Sequence, residues 1–151
     1  MVEYIKSQKA PTVLVFFGDH LGSMGDNYYT YQETGYIKSQ NETDWNREDY
    51  RKMYSTPLLI WDNFGLKQEK NLQIGASYLG NYLLDLLNFK GKNPYFDFIS
   101  DEFRNCIVAD SSKLRIDRSG SLDRPECKSS EYNHSLLQYD IMFGNGFSQE
   151  K

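Results

Sequence analysis

An acidic residue and a histidine stand side by side near the start of the chain. The sequence VLVFFGDHLG, residues 13–22, places Asp19 and His20 directly after an apolar run and Gly18. A carboxylate oxygen and an imidazole nitrogen suit manganese or zinc better than calcium or magnesium, which prefer oxygen ligands. Neighbouring side chains of an extended strand point to opposite faces, so both reach one ion only where the backbone bends, and glycine permits that bend. A divalent metal site at Asp19 and His20 is therefore one interpretation of this pattern.

The same two residues also fit an ordinary turn. A carboxylate that follows a strand commonly accepts nearby backbone N–H groups, and the next histidine can be a plain surface or core residue. Two ligands are also fewer than the three that usually hold a catalytic zinc. Asp26, Glu33 and Asp62 are available to complete a shell, but their spacing selects none of them. The only other histidine, His134, is expected to pack on a helix or face solvent.

The elements around this pair predict an α/β fold with flanking helices, in a single domain over residues 1–151. Residues 12–17 form a β-branched and aromatic run, which is typical of a strand covered on both faces in a mostly parallel sheet. TPLLIWDNF, residues 56–64, predicts a second buried strand, and residues 2–9 resemble the end of an amphipathic helix. Ligands of open α/β sheets collect beyond the carboxyl ends of the strands, where the acid and the histidine are expected.

Further helices are predicted by apolar periodicity. A short helix through Tyr54 is capped by Asp44 or Asn46, and residues 76–91 form a helix capped by Ser77. Weaker patterns predict a short helix over 95–103 and a hairpin that turns at Ser119 and Gly120. The last predicted helix covers 129–146 and stops at Gly144. Two apolar stripes are expected in the core: Tyr78, Leu79, Tyr82, Leu83, Leu86 and Leu87, and then Tyr132, Leu136, Tyr139, Ile141 and Phe143.

A long loop is predicted between the two strands, over residues 22–43. It contains four tyrosines that are able to stack on a sugar or polymer, namely Tyr28, Tyr29, Tyr31 and Tyr36. They define an alternative function, a non-catalytic glycan- or polymer-binding module. The same tyrosines can instead fold back onto the domain.

Composition excludes several classes of protein. A net charge of −4 with 25% charged residues gives no basic excess for nucleic acid. No run of about 18 apolar residues predicts a membrane span, and no secretion signal is recognisable. Cys106 and Cys127 match no zinc motif. Isolated cysteines are more often thiols, although a disulfide here would close a loop of about 20 residues.

Four blocks of sequence resemble one family. VLVFFGDHLG, TPLLIWDNF, SYLGNYLLDLLN and LLQYDIMFG occur in the order found in the carboxy-terminal part of lipoteichoic acid synthase-like sulfatases, a branch of the alkaline phosphatase superfamily. The resemblance is strongest over residues 12–87 and weakest over 93–130. It implies that Asp19 and His20, in the GDH motif, bind the catalytic divalent ion, commonly Mn²⁺. Gly22 stands where the family usually has proline.

The resemblance also implies what this chain lacks. The nucleophilic threonine, another acidic ligand and a substrate-binding histidine of the family have no counterpart here, so no catalytic residue is expected and the substrate-binding residues are unknown. It implies transfer or hydrolysis of phosphate or sulfate esters, lipid- or glycan-linked, at the extracellular face of a bacterial membrane. The chain is expected to be inactive without the missing amino-terminal half of the catalytic domain. A separate chain is a possible source of that half, and self-association through an exposed sheet edge is expected.

Overall fold

The elements of the chain fall into two compact units, Met1–Lys70 and Asn71–Lys151. The computed structural model describes residues 1–89, 94–110, 114–121 and 125–149. Each unit combines helices with a two-stranded antiparallel sheet, which confirms the α/β class. The prediction of a single domain stays a prediction. Within the described residues, no helix has both the length and the apolar content that crossing a membrane requires.

The first unit contains three helices and two strands. They are α1 (Val2–Lys6), β1 (Val13–Phe17), α2 (Tyr29–Glu33), α3 (Arg47–Met53) and β2 (Leu58–Asp62), with short 3-10 turns at Asp26–Tyr28 and Glu42–Asp44. Both strands lie where the apolar runs predict them. Residues 22–43 are not one irregular loop, because they hold α2, the 3-10 turn at Asp26–Tyr28 and the start of the turn at Glu42–Asp44. The predicted short helix through Tyr54 is present as α3.

The two strands pair antiparallel, so the prediction of a mostly parallel sheet is wrong. Val13 lies opposite Asp62 and Phe17 opposite Leu58. The chain returns through α2 and α3 and enters β2 beside the end of β1, which fixes the antiparallel direction. The expectation of a strand covered on both faces is wrong as well, since Phe16 and Phe17 are 61% and 54% exposed. A sheet of only two strands leaves one side of β1 without a neighbouring strand, so these two side chains stay exposed to solvent.

Polar side chains set the ends of these elements. Asn46 caps α3, accepting from Asp49 N while the Asp49 carboxylate accepts from Asn46 N, as in a capping box. Of the two predicted caps, Asn46 is therefore confirmed. The Asn63 side chain accepts from Thr12 N at 2.8 Å and donates to Gln8 O at 3.0 Å, which ties the start of β1 to the end of β2.

The described residues of the second unit form three helices and two paired strands. They are α4 (Ala76–Leu86), α5 (Pro94–Asn105), β3 (Cys106–Asp110), β4 (Leu114–Asp117) and α6 (Glu126–Met142), followed by a 3-10 turn at Phe147–Gln149. The three predicted helices are confirmed, but α4 is capped by Gly75 rather than by Ser77. The predicted turn at Ser119 and Gly120 exists, although the ladder runs between β3 and β4.

A disulfide between Cys106 and Cys127 lies at the centre of this unit. Both cysteines are fully buried, and their Cα atoms are 5.6 Å apart. The bond joins the start of β3 to the start of α6. The same unit also buries the side chains of Tyr78, Ile99, Leu114, Ile116 and Ser130. The interpretation of the two cysteines as thiols is therefore wrong, because the fold brings them together in a way that their spacing of 21 residues does not reveal.

The predicted core stripe of α6 faces outward. Tyr132, Tyr139 and Phe143 are 64%, 63% and 71% exposed, and Leu136 and Ile141 are exposed too. The helix instead turns Cys127, Ser130 and His134 inward, at a spacing of three and four residues. The disulfide decides which face is buried, and the larger apolar stripe has no cover within the described part of this unit.

His134 packs in this interior, which is one of the two roles predicted for it, the other being exposure to solvent. Its ring lies 5.0 Å from the ring of Tyr78, between centroids, and its buried Nε2 has no hydrogen-bond partner among the described residues. Burial lowers the pKa of His134 below the ordinary 6.5, and the nearby Glu102 carboxylate offsets this in part. The folded unit therefore favours neutral histidine.

Replacing both Cys106 and Cys127 by serine is expected to lower the free energy of unfolding by about 3 kcal/mol, because the unfolded chain loses a closed loop of some 20 residues. Denaturant titration of the two proteins measures the difference. Reductant should weaken the parent and leave the double variant unchanged. Equal stability of parent and variant would contradict the structural role of the bond.

Acidification is expected to destabilise the second unit through His134. Because the folded-state pKa is lowered, the unfolded chain takes up the proton first, and stability falls as the pH drops through 6.5 toward the folded value. Thermal unfolding between about pH 7 and pH 5.5 measures the slope before most carboxylates titrate. His134→Gln should flatten it. A slope that survives in this variant assigns the effect to another group.

Candidate metal site

The end of β1 is held by the segment that precedes β2. Gly18 N donates to Pro57 O at 3.1 Å, and the Thr56 hydroxyl donates to Gly18 O at 2.7 Å. A Cβ atom at position 18 would lie 3.0 Å from the Cβ of Thr56. Glycine is therefore needed here for space. Gly18 is not among the residues of positive φ, and the backbone bends at the two residues that follow it, Asp19 and His20.

Asp19 and His20 follow this junction, and their side chains lie next to each other. Asp19 Oδ1 accepts from the backbone N–H of His20 at 2.9 Å. His20 Nδ1 lies 2.9 Å from Leu21 O, and His20 Nε2 lies 3.4 Å from Asp19 Oδ2. Both side chains are exposed, by 82% for Asp19 and 76% for His20. The local turn and the close approach of the two groups thus occur together.

The hydrogen bond to Leu21 determines which nitrogen of the His20 ring carries the proton. A carbonyl oxygen only accepts, so Nδ1 carries the proton of that bond. In neutral His20 the lone pair is then on Nε2, the nitrogen nearest Asp19 Oδ2. Two acceptors at this distance repel each other unless a positive charge, from a proton or a metal ion, lies between them.

The separation of these two atoms fits a shared metal ion. Two ligand atoms that are each about 2.1 Å from one ion lie about 3.4 Å apart at a tetrahedral angle and about 3.0 Å apart at an octahedral angle. The Nε2 to Oδ2 distance of 3.4 Å agrees with the tetrahedral value and exceeds the octahedral one by about 0.4 Å. One nitrogen and one oxygen donor also suit manganese or zinc. The residues present therefore fit two positions of a coordination shell.

The other acidic candidates do not join the pair. Asp62 lies opposite Val13, at the far end of the two strands, about 13 Å along β1 from Phe17. Its Oδ1 accepts from the N–H groups of Phe64 and Leu66 at 2.9 and 3.0 Å, and these bonds lower its pKa. Among the described residues, Asp26 and Glu33 included, no three His, Cys, Asp or Glu form a group able to hold a metal.

The tyrosines of residues 22–43 mostly bind their own unit. Tyr28 meets the buried Trp45 edge to face, with ring centroids 4.9 Å apart. Tyr31 donates to Gly22 O at 2.5 Å, and the Tyr36 ring lies 5.5 Å from the Lys52 ammonium. Tyr29 is 51% exposed. These contacts agree with tyrosines folding back, and the glycan-binding module stays a prediction.

Thr56 is the positioning residue that the sequence analysis missed. It holds the carbonyl of the residue before Asp19, and it fills the space that Gly18 leaves. The sequence feature that could have identified Thr56 is its position immediately before Pro57, at the start of β2. That position is informative only once the strands are known to pair antiparallel, because this pairing brings Pro57 next to Gly18.

Comparison with known proteins supplies the class. The Sulfatase family model matches residues 1–89, which include the site, and the chain belongs to this family. A protein from Rhizobium meliloti (strain 1021), named for cyclic beta-1,2-glucan modification, is 26% identical over 158 residues. The match covers 100% of this chain and 24% of that protein, so the chain spans about a quarter of its relative's length. No solved structure matches the chain.

Gly18→Ala is expected to destabilise the first unit by about 1 to 3 kcal/mol, because the new methyl group meets the Cβ of Thr56, which has no freedom to rotate away. Gly22→Ala is the matched control, since a Cβ there meets nothing within 4 Å. Denaturant titration compares the two variants. A loss of stability in Gly22→Ala equal to that in Gly18→Ala would contradict the role of close packing.

Proposed function

We propose that Asp19 and His20 hold one divalent cation in an enzyme that acts on phosphate or sulfate esters, and that this chain is a carboxy-terminal part of that enzyme. The proposal rests mainly on one observation. His20 Nε2 lies 3.4 Å from Asp19 Oδ2, while the other ring nitrogen, Nδ1, is hydrogen-bonded to Leu21 O. Membership of the sulfatase family supports the reaction class.

The proposed ion is Mn²⁺, on the mixed donor set and on the resemblance to lipoteichoic acid synthase-like sulfatases. When bound, such an ion polarises the attacked phosphate or sulfate group and lowers the pKa of the attacking hydroxyl. The part of this chain is to fix two ligands. Gly18 and Thr56 hold the backbone before them, and the Leu21 carbonyl keeps the ligating nitrogen unprotonated.

We propose that the remaining ligands and the nucleophile come from residues outside those described. The chain spans about a quarter of its relative, and no third metal-binding side chain joins the pair within the described residues. Alone, the chain is then inactive and holds the metal weakly. The predicted self-association stays a prediction, which the exposed side chains of Phe16, Phe17 and Leu59 support.

The proposed substrate is an ester linked to a glycan or lipid of the cell envelope, and the reaction is transfer of phosphoglycerol or a similar group. The relative named for glucan modification supports a glycan substrate. The buried disulfide supports an extracellular setting, because disulfides persist in oxidising compartments. A membrane anchor elsewhere in the longer protein follows from the resemblance and belongs to the same proposal.

Titration of the isotope-labelled chain with Mn²⁺ is expected to broaden the NMR amide signals of residues 18–22 first, because paramagnetic relaxation falls steeply with distance. Binding should remain unsaturated at equimolar metal, since half a shell binds weakly. Asp19→Asn and His20→Gln should each abolish the local broadening.

Asp26→Asn is the matched control, because it removes the same charge from the loop that follows without touching the pair. Broadening that survives in Asp19→Asn and His20→Gln, or that disappears equally in Asp26→Asn, would contradict the proposed ligands. Tight stoichiometric binding that depends on Asp19 would instead contradict the claim that the shell is incomplete.

A further inference from the structure

A cavity of about 500 Å³ lies in the second unit, apart from the metal pair. Its walls are α4, α5 and the turn that follows β4, and they contribute Tyr82 and Asp85, Asp97 and Ser100, and Arg118 respectively. The volume is within the range of small-molecule sites. Polar and aromatic side chains thus line one space that the sulfatase match over residues 1–89 reaches only through α4.

Hydrogen bonds fix the Ser100 hydroxyl at one wall. Its oxygen lies 2.5 Å from the side-chain amide of Asn81, which is only 3% exposed, and 3.1 Å from Asp85 Oδ2. A buried amide and a carboxylate therefore hold this hydroxyl in place before any ligand arrives. Prior ordering of this kind lowers the entropy cost of binding.

The guanidinium of Arg118, in the turn that follows β4, is fixed as well. The Cζ atom of Arg118 lies 4.7 Å from the ring centroid of Phe103, and its Nε donates to Arg104 O at 3.1 Å. Arg104 in turn pairs with Asp101 at 2.7 Å. These contacts orient the donors of Arg118 while leaving a positive charge in the lining.

The balance of charge indicates the ligand. Of the described residues that line the cavity, three are aspartates and two are arginines. The carboxylates repel an anion and the guanidinium groups repel a cation, so neither kind of ion is favoured. A hydroxyl group, in contrast, donates to a carboxylate and accepts from a guanidinium group. The Tyr82 ring adds an apolar surface of the kind that the C–H face of a sugar contacts.

We propose that this cavity binds a neutral, hydroxyl-rich ligand, a short carbohydrate. The proposal does not depend on the metal site, because the two lie in different units and involve different residues. A failure of Mn²⁺ binding would therefore not count against the carbohydrate site, and a failure of carbohydrate binding would not count against the metal site.

NMR titration of the 151-residue chain with cellotriose and maltotriose tests the cavity, with sodium sulfate and tetramethylammonium chloride as anionic and cationic probes. At least one trisaccharide is expected to shift the amide signals of α4 and α5, with smaller effects from both ions. Arg118→Gln should weaken this binding by about tenfold, since it removes a charged hydrogen-bond donor. Lys128→Gln removes the same charge outside the cavity and should leave binding unchanged.

The spectrum of Arg118→Gln away from the cavity shows whether the variant is folded, and Asp97→Asn replaces it if it is not. No shift with either trisaccharide would overturn the proposal. Tighter binding of sulfate or of tetramethylammonium at the same residues would overturn the neutral ligand class. Trisaccharide binding that is unchanged in both Arg118→Gln and Asp97→Asn would show that the sugar binds outside this cavity and would overturn the proposal.

Discussion

Two hydrogen bonds at the junction of β1 and β2 set the geometry on which the metal pair depends. Gly18 N donates to Pro57 O, and Thr56 donates to Gly18 O, so the chain leaves the sheet from a fixed point. The next residue is Asp19, and its carboxylate bonds the N–H of His20. Because each step is local, small changes at Gly18 or Thr56 move both ligands together.

Electrostatics then gives this geometry its chemical meaning. The Leu21 carbonyl places the imidazole proton on Nδ1, and the bare Nε2 of neutral His20 faces a carboxylate oxygen 3.4 Å away. A surface pair of this kind is worth little to stability, because water screens it. The value that we propose for it is as two prearranged ligands. The sulfatase family model matches residues 1–89, a range that includes both residues of the proposed site.

Local signals in the sequence predicted local structure well. The apolar runs predicted both strands of the first unit, and Asn46 was predicted as a cap, since capping depends on residues three positions apart. Pairing direction, the disulfide and the outward face of α6 were predicted wrongly, because each depends on contacts between distant segments. For the proposed site, Asp19 and His20 could be singled out because they are adjacent in sequence, whereas Thr56 reaches Gly18 only through the antiparallel pairing.

Anomalous diffraction at the manganese edge, from crystals of the proposed longer enzyme grown with Mn²⁺, tests the central claim most directly. The account predicts one peak within coordinating distance of both Asp19 Oδ2 and His20 Nε2, with the remaining ligands from other parts of the enzyme. A peak bound by neither side chain, or by only one of them, would contradict it.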